Sequence, residues 1–371
     1  MGTLRYTVLR DRSPAACNIE SKRYAAHNQT AAPGSDRRKE QDVSDTDYFV
    51  AASECHLLDR LGEVSYYPDF SRWILSAMSG VTKVWGAPEQ HVPLRASELI
   101  KQMDENGIDI AFGLRESMMD VTGFSAPLST NGFIMSEIEP YPDRLFLECN
   151  VGPILKRGVK HAIWELEYLV KERNAKLCKV YAPEDGPLND PEMWPFYEKA
   201  CELDIPLTIH MGMSYVVPQP TKYTLPILLD DVMIAFPDLK VIAYHMAWPF
   251  HEELFGMAGK HKNLYIGISG IVGWFARAPY KGYHLIGEAL EWAGPDKIVF
   301  GLDWPGVDMK ACLDYMRTFD IPEELQQQWG YPAITDEIRA KILGLNLAGL
   351  TNIEPVKRAP KPAPAAAPAG D

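Results

Sequence analysis

Four short apolar runs in this sequence end on side chains that bind metals or move protons. Pro206-Leu207-Thr208-Ile209 runs into His210, Lys240-Val241-Ile242-Ala243-Tyr244 into His245, and Lys297-Ile298-Val299-Phe300-Gly301-Leu302 into Asp303. The fourth, Tyr48-Phe49-Val50-Ala51-Ala52-Ser53, leads into Glu54-Cys55-His56. A short run that is apolar on both faces is the pattern of a parallel strand covered on two sides. Barrels of parallel strands place their chemistry at the strand ends. The chain must therefore fold so that four such ends meet.

Further runs of the same kind extend the series. Strands are expected at 48–53, Ile108–Leu114, Leu145–Val151, Leu177–Tyr181, Leu207–His210, Val241–His245, Leu264–Ser269 and Ile298–Leu302. Helices are expected between and after them, at about 95–106, 129–141, 158–173, 191–203, 225–236, 252–261, 283–293 and 308–318, with a terminal helix over 335–348. Asp190-Pro191 supplies a cap followed by proline at the first helical position, and Asn106-Gly107 supplies a helix stop. Strands alternating with helices over this length predict an α/β fold, a (β/α)8 barrel. A doubly wound open sheet would carry a glycine-rich turn after its first strand. Here Cys55-His56-Leu57-Leu58-Asp59-Arg60 stands in that place.

The barrel is expected over 44–352, with the aromatic-rich insert 57–94 over its mouth. Residues 1–43 read as a poorly ordered extension and 353–371 as a Pro/Ala-rich disordered tail. Of the 371 residues 46% are apolar, which supplies a sizeable core, and the formal charge of −13 argues against non-specific nucleic-acid binding. The six cysteines are scattered and form no CxxC pair, the pattern of buried free thiols in a reducing compartment. No 18-residue apolar run and no secretory h-region is present, so no membrane association and a cytoplasmic location are expected.

Glu54, His56, His210 and Asp303 are the candidate metal ligands. Two imidazoles and two carboxylates suit Zn²⁺, Mn²⁺ or Fe²⁺ better than Ca²⁺ or Mg²⁺. Residues i and i+2 of a strand share a face, so Glu54 and His56 can point into one site. Taken singly, each has an ordinary reading: a histidine ending a strand is commonly a satisfied core residue, and an aspartate after a strand is commonly a helix cap. Their convergence is what favours a site. His245 is a fifth candidate, as ligand or as general acid/base. Arg115 and Lys179 can face a substrate carboxylate or make core pairs, and Asn131 is a further candidate contact. Trp274 and Arg277, with Phe275 and Tyr280, can line a pocket or pack beneath a loop.

Several longer stretches carry a resemblance. Pro206-Leu207-Thr208-Ile209-His210-Met211-Gly212, Tyr244-His245-Met246-Ala247-Trp248-Pro249, Lys262-Asn263-Leu264-Tyr265-Ile266-Gly267-Ile268-Ser269 and Phe300-Gly301-Leu302-Asp303-Trp304-Pro305 resemble successive signatures of the amidohydrolase superfamily. The branch most similar contains aminocarboxymuconate semialdehyde decarboxylase and γ-resorcylate decarboxylase. The resemblance runs from about Tyr48 to Leu350. It implies a distorted (β/α)8 barrel of the metal-dependent hydrolase type, with one divalent ion, Zn or Mn, at its mouth. By position, His210 matches the ligand after strand five, His245 the catalytic histidine after strand six, and Asp303 the ligand after strand eight, catalytic as well. Leu58 stands where the commoner His-x-His would put its second imidazole, and Glu54-Cys55-His56 resembles the Glu-x-His form of the γ-resorcylate-type decarboxylases. Trp248 stands where those decarboxylases tend to carry a glutamate, a form closer to hydrolytic members.

These features imply an enzyme, first a non-oxidative decarboxylase of an aromatic or unsaturated carboxylic acid. The second reading is a metal-dependent hydrolase of a lactone, amide or β-keto substrate, and the third a non-catalytic scaffold. The expected partner is a small carboxylic acid or carbonyl compound, and the family suggests a homo-oligomer, dimer or tetramer.

Overall fold

The computed structural model describes residues 48–57, 94–115, 129–214 and 219–359. Residues 1–43, residues 58–93 of the insert and the tail beyond 359 lie outside the described residues.

Nine strands form one sheet in the order β8-β7-β6-β5-β4-β3-β2-β1-β9. They are β1 (Ala51–His56), β2 (Ile110–Leu114), β3 (Leu145–Asn150), β4 (Leu177–Val180), β5 (Leu207–Ile209), β6 (Val241–Ala243), β7 (Leu264–Gly267), β8 (Ile298–Val299) and β9 (Gly301–Trp304). All neighbours pair in parallel. The expected strand 298–302 is thus two pieces: β8 pairs with β7, and β9 pairs with β1. The break falls at Phe300, whose N–H leaves the ladder to donate to Ile342 O at 3.2 Å. Its carbonyl stays in place and accepts from Ser53 N at 3.4 Å, so the two pieces act as one closing strand of a (β/α)8 barrel. Gly301 makes the closure possible, because a Cβ there would lie 2.6 Å from Ser53 Oγ and 2.7 Å from Ser269 Cβ.

Among the described residues the main helices between and after the strands are α1 (Ala96–Asn106), α2 (Asn131–Ile138), α3 (Val159–Arg173), α4 (Trp194–Glu202), α5 (Leu228–Ala235), α6 (His251–Lys260), α7 (Pro279–Ala293) and α8 (Met309–Thr318). Local signals set their ends. Gly107 stops α1 in the left-handed conformation at φ 67°. The Thr130 hydroxyl accepts from Phe133 N at the start of α2, and Asp308 caps α8 through Ala311 N. Asp190 caps the 3₁₀ turn Pro191–Met193 that runs into α4. In α1, Ala96, Leu99 and Met103 are buried, spaced at three and four so that one stripe faces the sheet. Short helices at Ile154–Arg157, Val272–Arg277 and Glu323–Trp329 had no expected counterpart. No helix among the described residues is long and apolar enough to cross a membrane.

The barrel interior is layered by strand parity. Ala51, Phe112, Leu177, Ile242 and Val299 form an apolar cluster, with Phe146 packed against it. Two residues further along three of those strands come Glu148, Lys179 and Tyr244, also buried. The inner wall therefore changes from apolar to polar as it approaches the strand ends. Leu347, Ala348 and Leu350 of the terminal helical stretch Asp336–Thr351 join the apolar cluster and cover the base. That stretch contains a π turn at Lys341–Leu345 where one regular helix was expected. The chain then returns to buried Asp109, which accepts from Val50 N, Arg358 N and Ala359 N and pairs with Lys357.

Candidate active site

The first strand delivers its residues through an irregularity. Between Ala52 and Cys55 the register of β1 slips against β2, and a slip lies between Ser53 and Cys55 against β9. Glu54 sits in the slip with φ 58°, a left-handed conformation uncommon for a residue with a side chain. His245 (φ 59°) and Asp303 (φ 56°) share that conformation at the ends of their strands. Three of the expected site residues are thus held in sparsely populated backbone geometry, which surrounding contacts must enforce.

Glu54, His56 and Asp303 come together: one ligand atom from each lies within 4.8 Å of the others. His56 Nε2 is 2.9 Å from Asp303 Oδ1. Bonds of about 2.0–2.2 Å from a single ion would span nearly this separation, and one imidazole with two carboxylates suits zinc or manganese. The donor set therefore fits one divalent ion.

His210 stands outside that trio. Its Nδ1 lies 3.0 Å from His245 Nε2, and its Nε2 faces Met213 O at 3.3 Å. Burial pushes the His210 imidazole well below its ordinary pKa, with His245 and Lys179 adding to the effect. His245 Nδ1 faces the Ser269 carbonyl at 3.0 Å, and its Nε2 is 3.7 Å from Glu54 Oε1. A carbonyl only accepts, so Nδ1 of His245 carries the hydrogen and Nε2 is the exchangeable face. Gly270 (φ 68°) lets the loop after β7 close on Asp303 and His245, since a Cβ there would lie 3.0 Å from Asp303 Oδ2 and 3.1 Å from His245 Nδ1.

Glu54 is the most constrained of these groups. Lys179 donates to its Oε1 and Ser269 to its Oε2. Burial pushes its carboxyl up, but the Lys179 ammonium, His245 and His56 outweigh this and hold it at about 2. Lys179, a candidate substrate contact, is thus buried as the counter-ion of Glu54, with its ammonium 4.2 Å from the centre of the Tyr244 ring.

The other candidate contacts fall in different places. Arg115 and Asn131 converge on the end of β3, where both donate to Asn150 O. Asn131 also holds Asn150 N and Glu165. Trp274 packs edge-on against Trp248 at 4.6 Å between centroids. Arg277 is exposed at the last residue of its helix.

One buried carboxylate at this level was not singled out in the sequence. Glu148, inside β3, accepts from Glu54 N at 3.1 Å, Thr208 Oγ1 at 2.6 Å and Tyr244 OH at 2.9 Å. A glutamate between Leu147 and Cys149 in an apolar strand was the available signal.

Comparison with known proteins gives the family and the fold. A family model described as amidohydrolase matches residues 135–348, more than half of the chain. The 2-keto-4-carboxy-3-hexenedioate hydratase of Sphingobium sp. (strain NBRC 103272 / SYK-6) is 28% identical over 152 residues, 36% of this chain and 45% of the relative. The chain thus matches under half the length of that relative. Among solved structures, the uncharacterized TIM-barrel protein Bb4693 of Bordetella bronchiseptica aligns with a TM-score of 0.62 at 18% identity, covering 82% of this chain and 99% of that one. A dihydroxybenzoic acid decarboxylase of Polaromonas sp. JS666, solved with manganese and the inhibitor 2-nitroresorcinol, aligns with a TM-score of 0.56 at 17% identity, covering 82% and 97%. The match over 135–348 takes in the strands that end at His210, His245 and Asp303, and on it the chain belongs to the amidohydrolase family, an enzyme on a (β/α)8 barrel.

Proposed function

We propose that this enzyme is a metal-dependent, non-oxidative decarboxylase of a small aromatic or unsaturated carboxylic acid. The observation that carries the reading is the grouping of Glu54, His56 and Asp303 beside the His210–His245 pair at one end of the barrel. Glu54, His56 and Asp303 would hold one divalent ion, zinc or manganese, with His210 completing the set by its place in the family motif. When bound, the ion supplies positive charge that orients the substrate's carboxylate and a neighbouring oxygen and stabilises charge as CO₂ leaves.

The chain's own groups do the rest. His245, with Nδ1 fixed by the Ser269 carbonyl, presents Nε2 to give or take a proton. Asp303 is held through Oδ1 by His56, which leaves Oδ2 as a second proton carrier. Lys179 and Ser269 keep the Glu54 carboxylate ionised and oriented. The Trp248–Trp274 pair supplies an apolar wall for a flat substrate.

A second reading has one specific observation in its favour: the sequence relative is a hydratase. There His245 or Asp303 would act as base toward water, as it would in hydrolysis. The test uses protein loaded with manganese or zinc and offered hydroxybenzoates and unsaturated keto acids in ¹⁸O-water. Decarboxylation releases CO₂ and adds no solvent oxygen to the organic product beyond the keto-oxygen exchange seen without enzyme. Hydration or hydrolysis places one solvent oxygen in the product and rejects the decarboxylase reading. Metal content is measured on wild type beside His210→Ala and Asp303→Ala; about one equivalent, lost in both variants, is expected. Wild type that binds neither ion sinks both readings.

A further inference from the structure

We propose that Glu148 is a positioning residue that sets the metal affinity of the site by holding Glu54 in its left-handed conformation. This rests on the metal-dependent reading above. Glu148 is fully buried on β3, across the barrel interior from the strands it joins. Its Oε2 accepts from the backbone N–H of Glu54, and its Oε1 accepts from Thr208 Oγ1 and Tyr244 OH. Each donor is next to a site residue: Glu54 is itself a proposed ligand, Thr208 is two residues before His210, and Tyr244 immediately precedes His245.

The contact to Glu54 has a physical reason. Where β1 slips in register, an amide is freed from the ladder, and a buried N–H without an acceptor costs about 1–3 kcal/mol. The carboxylate of Glu148 takes that N–H. A regular β1 would return Glu54 to the extended conformation and change the direction of its side chain relative to His56 and Asp303. Three donors meet on one carboxylate. In Glu148→Gln the charge is lost and one face changes whichever way the amide turns: with its oxygen on Thr208 and Tyr244 the NH₂ group faces the Glu54 N–H, donor against donor, and with its oxygen on Glu54 N both hydroxyls must reverse to accept from the NH₂.

Metal sites lose about 10–100-fold in affinity when a group orienting a ligand is removed. The experiment is competition of Mn²⁺ and Zn²⁺ against a chelating dye, on wild type, Glu148→Gln and Tyr244→Phe, with circular dichroism to confirm folding. Glu148→Gln is expected to be folded and to bind each ion 10–100-fold more weakly. Tyr244→Phe removes one donor, leaves the Glu54 contact, and should weaken binding only about threefold. Folded Glu148→Gln that binds within twofold of wild type overturns the inference while leaving the metal site standing. If Glu148→Gln does not fold, Glu148→Asp is titrated instead. It keeps the charge but shortens the reach to Glu54 N; weakening of at least tenfold supports the role, and affinity within twofold overturns it. Wild type that binds neither ion fails the metal-dependent reading itself, and this inference with it.

Discussion

The ion pair between Lys179 and Glu54 is almost completely buried on both sides. Removing one partner from such a pair leaves a desolvated charge, at a cost of about 3–5 kcal/mol. Lys179→Met should therefore lower the free energy of urea unfolding by about that amount. The double variant Lys179→Met/Glu54→Gln should recover part of it, because no isolated charge remains. His210 gives the opposite kind of test. Its pKa is depressed in the folded protein, so the unfolded chain binds more protons below about pH 6.5. Stability contributed by keeping this ring neutral is present above that pH and is lost as the pH falls below it. The limiting slope is about 1.4 kcal/mol per pH unit. In chelator-treated protein, His210→Asn should flatten the dependence between pH 6.5 and 5; an unchanged slope would show that the ring is not buried in its neutral form.

At the scale of elements, the strands do little more than carry residues to one end, and the joints between them decide geometry. The closing strand is split at Phe300 because its amide is claimed by the terminal π turn. Gly301 then lets β9 lie against Ser53 and Ser269. Gly301→Ala forces a Cβ into both neighbours and should cost about 1–3 kcal/mol, read as a lower urea midpoint with an unchanged m-value. Metal affinity should fall as well, since β9 carries Asp303. Wild-type affinity in Gly301→Ala would mean that closure of the barrel and alignment of the site are independent. The helices contribute less to the site and were easier to read. The cap at Asp190 and the stop at Gly107 are local signals that the structure honours.

For the whole molecule, the two ends of the barrel have separate jobs. The candidate site lies at the end where β1, β5, β6 and β9 finish. The opposite end is covered by Leu347, Ala348 and Leu350 and tied by residues 357–359 to Asp109. A chain ending at Glu354 removes three of the partners of that buried carboxylate and should lose about 1–3 kcal/mol of stability, seen by calorimetry, without change in metal affinity. A bound ion couples to the whole fold in the other direction. At a free concentration of one hundred times Kd it should stabilise the wild type by about 2.7 kcal/mol, raising Tm, and His56→Ala/Asp303→Ala should show no such rise.

The residues alone give the alternation of strands and helices, hence the barrel, and the placing of His210, His245 and Asp303 at strand ends. Those features follow from runs of a few residues, whose apolar faces and caps are decided locally. Strand parity could place Glu54 and His56 on one face, but the register slip that orients Glu54 is a property of β1 against two neighbours. The pairing of His210 with His245, the use of Lys179 as counter-ion to Glu54 and the hold of Glu148 on the Glu54 amide emerge only in the folded barrel. The contacts that decide this join residues 94 positions apart for Glu54 and Glu148, 125 for Lys179 and Glu54, and 35 for His245 and His210. Such contacts exist only after the barrel has closed, because closure brings the strand ends together and removes the water that would otherwise satisfy each group separately.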